Sequence, residues 1–229
     1  GGNGAGKSTT LNAIAGVWPV DCGQILIDGK DISALPEHKR APYLGRVFQD
    51  PMTGTVADME IIENLAIAAR RGKKRGLSWG VKADERFRYR QMLAEFDLGL
   101  EDRMSSKVGL LSGGQRQAIT LLMATIKKPK LLLLDEHTAA LDPKTAAKVL
   151  ELSDKIIAEN NLTALMVTHN MHDAITHGNR LIMMSDGKII LDISGEEKKN
   201  LTVEHLLEMF EKASGSKLEN DRMLLSKDK

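Results

Sequence analysis

An α/β fold, a mainly parallel sheet flanked by helices with a helical segment inserted into it, is what three stretches of this sequence predict. Gly1-Gly2-Asn3-Gly4-Ala5-Gly6-Lys7-Ser8 is a glycine-rich loop that runs into a helical stretch. Leu131-Leu132-Leu133-Leu134 is a continuous apolar run of the kind found in parallel strands buried on both faces. Between them the pattern turns helical, and residues 59–128 are expected to form a helical subdomain within residues 1–229.

Taken in order, Thr9 to Ile14 continue from the loop as a helix, and Gly16 suits the position just past its end. Gln24 to Lys30 reads as a strand closed by the Asp28-Gly29 turn, and Arg46 to Gln49 as a short strand ended by Asp50-Pro51. Ile61, Ile62, Leu65, Ile67, Ala68 and Ala69 predict a helix from Met59 to Arg71, followed by the basic stretch Arg70 to Gly76, read as a solvated loop. Helices are also predicted over Arg86 to Phe96 and Gly114 to Lys127. After the leucine run, Asp142-Pro143 forms an N-cap and first-turn pair, with Ala146, Val149, Leu150, Ile156 and Ile157 on one face of the next helix. Thr163 to Thr168 reads as a further buried strand, and Asp186-Gly187 joins a hairpin of Arg180 to Ser185 and Lys188 to Asp192. From Glu196 to Lys229 the sequence is polar except for one amphipathic helix starting at Thr202, where Leu201 and Leu206 pair as a hydrophobic staple. Ser226 to Lys229 are expected to fray.

The opening loop has the pattern G-x-x-x-x-G-K-[ST], which binds a nucleoside triphosphate, ATP or GTP. Its glycines let backbone N–H groups turn inward around phosphates, Lys7 adds a point charge, Ser8 offers a hydroxyl to Mg²⁺, and the helix dipole faces the anion. Such loops hang between a buried strand and a helix, and no strand stands in front of this one. The sequence is therefore expected to be an N-terminally truncated piece of a longer protein. Leu111-Ser112-Gly113-Gly114-Gln115 places a hydroxyl, two glycines and an amide at a second helix start, another candidate anion cradle. One γ-phosphate meets both cradles only if the chain folds them face to face or two subunits pair head to tail.

With these two motifs the sequence resembles the ATP-binding cassette (ABC) family, over essentially the whole chain and with further motifs in the family's order. The resemblance implies a P-loop NTPase core with Gly1, Gly2, Asn3, Gly4, Ala5, Gly6, Lys7, Ser8 and Thr9 around the phosphates of ATP. Gln49, in Val47-Phe48-Gln49-Asp50-Pro51, matches the glutamine that senses Mg²⁺ and the γ-phosphate and faces a transmembrane partner. Asp135 matches the aspartate that holds Mg²⁺ through water, Ser8 and Gln49 being placed with it at the metal, and Glu136 matches the glutamate that polarises the attacking water. Ala140-Leu141-Asp142 matches a loop of the dimer interface, and His169 matches the histidine that contacts the γ-phosphate. Ser112, Gly113, Gly114 and Gln115 would act on the ATP of the opposite subunit, with Lys7, Glu136 and His169 as the catalytic set. His137 stands where the family commonly has proline, a change that catalysis is expected to survive. The family's adenine-stacking aromatic lies upstream of the loop, so base contacts have no assigned residue.

The implied activity is hydrolysis of ATP by in-line attack of water, driven by positioning and charge. The implied partners are a second ATP-binding subunit and membrane permease subunits. The place is the cytoplasmic face of the membrane. Within the family, Asp135 to Pro143, Val167 to Met171 and Gly195 to Lys199 look like the ATP-binding subunits of tryptophan/tyrosine uptake systems, relatives of branched-chain amino-acid importers. Such subunits do not contact the cargo. The alternative is an ABC-type ATPase of DNA repair or translation. Repair ATPases place coiled coils or zinc modules between the motifs of Gln49 and Leu111, where this sequence has no sustained heptads, and the translation factors carry two cassettes where this sequence has one.

Composition sets the remaining bounds. With 229 residues, 42% hydrophobic, the chain has enough apolar mass for a core, and a net charge of +1 gives no general attraction to nucleic acid. The single cysteine, Cys22, excludes an internal disulfide and reads as a partly exposed loop thiol. His169 and His172 lack the further ligands a zinc site needs, and His38, His172, His177 and His205 read as surface or satisfied core residues. The eleven methionines read as core fillers, and no apolar run of about 18 residues appears.

Overall fold

In the computed structural model, which describes residues 4–73 and 80–214, the glycine-rich loop leads into α1, Lys7–Ala15. Gly16 ends the helix with φ +83°, its N–H bonded to Ala13 O at 3.2 Å. The helix's last carbonyls are taken by a buried guanidinium. Arg40 Nη1 donates to Ala13 O and Ile14 O at 2.7 and 2.8 Å, Nε to Leu35 O and Nη2 to Ser33 O, both at 2.7 Å. A cation at the negative end of a helix is favourable, and burial pulls the Arg40 pKa down. A Cβ on Gly16 would lie 2.8 Å from Arg40 Nε, so this glycine provides room as well as its left-handed turn.

By its contacts the chain divides into two units, Leu11–Val167, and Gly1–Thr10 with Thr168–Lys229. In the first, β1 (Leu26–Ile27) and β2 (Lys30–Asp31) pair antiparallel around Asp28 and Gly29, whose φ values are +49° and +74°. The single strand expected over Gln24 to Lys30 is thus a small hairpin, because the Asp-Gly turn falls inside it. The short helix α2, Glu37–Arg40, follows and delivers Arg40.

Three parallel strands then make the sheet, in the order β3 (Leu44–Val47), β4 (Leu131–Asp135), β5 (Thr163–Val167). The strand β3 lies earlier than the expected Arg46 to Gln49. Phe48 O accepts from Gln117 Nε2 at 3.3 Å instead of entering the ladder, and Gln49 leaves the sheet. Leu132, Leu133 and Leu134 are fully buried. The strand β5 is an edge of the three, and of its residues only Val167 is buried, so the expectation of a buried strand there holds at one end only.

The helices α3 (Ile61–Ala69), α4 (Ala83–Ala94) and α5 (Gly113–Thr125) pack with β3, β4 and α6 (Pro143–Glu159) around Leu65, Tyr89, Leu93, Ile119 and Leu121 in one core. Asp142 caps α6 as expected, Oδ1 accepting from Thr145 N at 3.1 Å, with Pro143 at the first turn. The basic stretch ends at Lys73 in the described part, and Lys74 to Gly76 lie outside the described residues.

In the second unit, α7 (Met171–Thr176) is followed by β6 (Arg180–Ser185) and β7 (Lys188–Ser194), an antiparallel hairpin turned by Asp186 and Gly187 at φ +47° and +74°. The segment expected to be merely polar forms α8, Gly195–Lys199, in which Lys198 is buried and donates to Ile175 O and His177 O at 2.6 and 3.0 Å. The last helix, α9 (Val203–Ser214), places Leu206 and Phe210 with Leu181, Met183, Ile193 and Leu201 in a separate core, so both staple residues are buried. Ser226 to Lys229 lie outside the described residues. Of the methionines, Met104 and Met183 are core residues while Met52 is exposed, and Cys22 is exposed.

Candidate nucleotide site

The described part of the opening loop begins at Gly4, and Gly1, Gly2 and Asn3 lie outside the described residues. Gly4 and Gly6 take φ +79° and +95°, a region open to glycine and costly to side chains. Ala5 is buried and its carbonyl accepts from Gly187 N at 3.2 Å, which ties the loop to the β6–β7 turn. Lys7 is half-buried, Ser8 and Thr9 are exposed, and α1 has no acidic side chain in its first turn to compete for its N–H groups.

At the start of α5 the signature residues form a capping box. Ser112 Oγ accepts from Gln115 N at 3.3 Å, while Gln115 Oε1 accepts from Ser112 N at 3.2 Å and Gln115 Nε2 donates to Leu98 O. The glycines have a steric reason as well. A Cβ on Gly114 would lie 2.1 Å from Thr145 Cγ2, and one on Gly113 would lie 3.2 Å from Leu141 Cδ2. The signature therefore sits directly against the Leu141–Asp142 corner and the first turn of α6.

At the end of β4, Asp135 is largely buried and Oδ2 accepts from Arg46 Nη2 at 3.2 Å. The next residue, Glu136, is half-buried and takes φ +46°, while its N–H bonds Val167 O at 3.0 Å. A left-handed glutamate at a strand end costs about 1–3 kcal/mol, a strain characteristic of functional positions. His137 is buried at 2% exposure, with Nε2 3.0 Å from Ser153 Oγ on α6, so the imidazole fastens the chain just after Glu136. Gln49 is exposed on the loop after β3. In the other unit His169 is exposed on a tight turn, where Asn170 N donates to Thr168 Oγ1 at 3.0 Å and Asn170 Oδ1 caps α7. His172 and His205 are exposed.

The first unit thus brings together the signature, Leu141, Asp142 and the start of α6, and separately Asp135 with Arg46. Two residues that sequence reasoning passed over matter here: Arg40 behind α1, and Arg46 beside Asp135. The available signal was an arginine inside the short apolar strand Leu44–Val47, where a charge demands a partner. Ser8, Gln49 and Asp135 offer only oxygen donors. Among the described residues no trio of His, Cys, Asp or Glu is placed to hold a metal by itself. Oxygen donors of this kind suit Mg²⁺, which takes one or two carboxylates together with substrate phosphates. An open cavity of about 620 Å³ lies elsewhere, between α4 and residues 101–106, lined by Arg86, Phe87, Arg90 and Asp102, and none of the expected site residues lines it.

Residues 1–139 match the ABC transporter family model. The tyrosine transport ATP-binding protein of Clostridioides difficile is 48% identical over 213 residues, covering 93% of this chain and 84% of the relative. The spermidine/putrescine import ATP-binding protein PotA of Haemophilus influenzae is 34% identical over 197 residues, covering 86% of this chain, and the chain spans about half of that relative's length, 50%. A dimeric ATP-binding cassette in a post-hydrolysis state, bound to ADP and Pi, superposes with a TM-score of 0.70 at 30% identity, covering 84% of this chain and 82% of that one.

Proposed function

This chain belongs to the ABC transporter family as an ATP-binding, ATP-hydrolysing transport subunit, and we propose that it powers uptake of an aromatic amino acid. The observation that carries the solute class is the 48% identical relative, whose name specifies tyrosine transport. The relatives described above are transport subunits, which favours transport over DNA repair or translation.

In this reading residues 1–229 act as one ABC domain, with 59–128 as its helical subdomain and 196–229 as a C-terminal extension. Gly1 to Thr9 cradle the triphosphate, and Lys7 offsets charge on its oxygens. Ser8, Gln49 and Asp135 hold Mg²⁺, which would neutralise charge developing between the β- and γ-phosphates. Glu136 orients the attacking water, and its left-handed backbone at the end of β4 supports that role. His169 donates to the γ-phosphate. Ser112 to Gln115 meet the ATP of a second ATP-binding subunit paired head to tail. Permease subunits engage the face around Gln49, where Met52 and Val56 are exposed, and would hold the subunit on the cytoplasmic side of the membrane. Among the described residues no helix is long and apolar enough to cross a membrane.

The test is reconstitution with the permease in vesicles. ATP should drive accumulation of tyrosine in preference to leucine or spermidine, and Glu136→Gln should stop it. Equal accumulation of leucine, or none of tyrosine, would overturn the solute assignment while leaving the ATPase intact.

A further inference from the structure

Arg46 is a cation stationed on the carboxylate that this chain offers to a metal. It is the third residue of β3, opposite Leu133 of β4, and its side chain is 14% exposed. Nη2 donates to Asn12 Oδ1 on α1 at 2.8 Å and to Asp135 Oδ2 at 3.2 Å. The guanidinium lies 4.6 Å from the centre of the Phe48 ring, and Phe48 immediately precedes Gln49. Nε is buried without a hydrogen-bond partner. A buried N–H left unmatched is unfavourable, so the group is retained there by its carboxylate, its amide and its ring rather than by a full set of hydrogen bonds.

We propose that Arg46 is a positioning residue that serves as the counter-ion of Asp135 when no divalent cation is bound, and gives up that carboxylate when the cation arrives. The proposal rests on the reading of Asp135 as a Mg²⁺ ligand. One carboxylate oxygen cannot serve a guanidinium and a divalent cation at full strength, since the two cations repel within a few ångströms. Arg46 keeps two anchors when it yields, Asn12 and the face of Phe48. It therefore raises the Mg²⁺ concentration needed to occupy Asp135, and it joins three elements of the site, α1, the Gln49 loop and the end of β4.

The experiment measures equilibrium binding of a fluorescent ATP analogue to the full chain, with Mg²⁺ varied from none, in EDTA, to saturation. Arg46→Met keeps an unbranched, largely apolar stem and removes the charge. Its Mg²⁺ midpoint for enhanced nucleotide binding should fall about tenfold, the scale of one nearby charge. Arg46→Lys retains a cation and should stay near the wild-type midpoint. Should Arg46→Met fail to fold, Arg46→Gln, which keeps an N–H for Asn12, is expected to show the same fall. An unchanged midpoint in the neutral variants, or equal shifts in the neutral and Lys variants, would overturn the proposal. Asp135→Asn separates the two readings: if it leaves the wild-type midpoint where it is, Asp135 is not the metal ligand and the premise itself fails.

Discussion

The two glycine-rich helix starts of this chain look alike in sequence and differ in what their glycines do. At the opening loop, Gly4 and Gly6 adopt left-handed φ values of +79° and +95°, so the glycines serve the backbone path. At the signature, Gly113 and Gly114 are the first residues of α5, and they serve space, since a Cβ on Gly114 would run into Thr145 at 2.1 Å. Ser112 and Gln115 cap their own helix, whereas α1 carries no acidic side chain in its first turn. The first start is shaped to receive an anion and the second to be a finished surface against which something else docks. In the proposed function, recognition of phosphate within one subunit belongs to the first and assembly of two subunits to the second.

The largest effect that tests this contrast separates the two by assay. Lys7→Ala should weaken nucleotide binding by the single subunit about 10- to 100-fold, the worth of a charged hydrogen bond. Ser112→Ala should leave that binding unchanged and weaken ATP-dependent dimerisation instead, and weakened binding in the Ser112 variant would erase the distinction. Next in size, Gly114→Ala should cost about 1–3 kcal/mol of stability through overpacking. Thr145→Ala should restore much of that loss in the double variant, as denaturant unfolding can measure. No neighbouring truncation should rescue Gly6→Ala, whose left-handed backbone alone costs about 1–2 kcal/mol. The smallest effect concerns Asp142, whose pKa is held below its ordinary value by the Thr145 side-chain and backbone hydrogen bonds. Its contribution should be present above pH 3.8, the unfolded value, and disappear as pH falls through the lower folded value. Asp142→Ala should lower the melting temperature at pH 7 and lose less on acidification than the wild type; parallel curves would mean that the cap contributes nothing.

What was legible in the sequence tracks how local the chemistry is. The opening loop, Asp135-Glu136 and the Asp142-Pro143 cap could be read because each requires particular residue types within a few positions. Leu131–Asp135 was legible because a strand buried on both faces has to be apolar throughout. The strand β3 was displaced because Gln117, distant in sequence, takes the carbonyl of Phe48. The helices α2, α7 and α8 are too short to show a period, and Lys198 inside α8 is held by carbonyls of Ile175 and His177 that only the fold brings near. Arg40 and Arg46 escaped for the same reason. Even where the strand around Arg46 demands a partner for its charge, the buried partners, Ala13 and Ile14 for Arg40 and Asn12 and Asp135 for Arg46, come from separate segments. The role of Glu136 is implied by the family resemblance, and its backbone strain is visible only in the fold.

The central claim is that Glu136 drives hydrolysis in a dimer glued by ATP. Its most direct test follows Mg-ATP turnover and light scattering together, for the wild type and Glu136→Gln. The account predicts that the variant loses turnover by at least about 100-fold, the lower end for a positioned general base, and accumulates as an ATP-dependent dimer that ADP does not support. Turnover that survives the substitution, or a variant that stays monomeric with ATP, would contradict it.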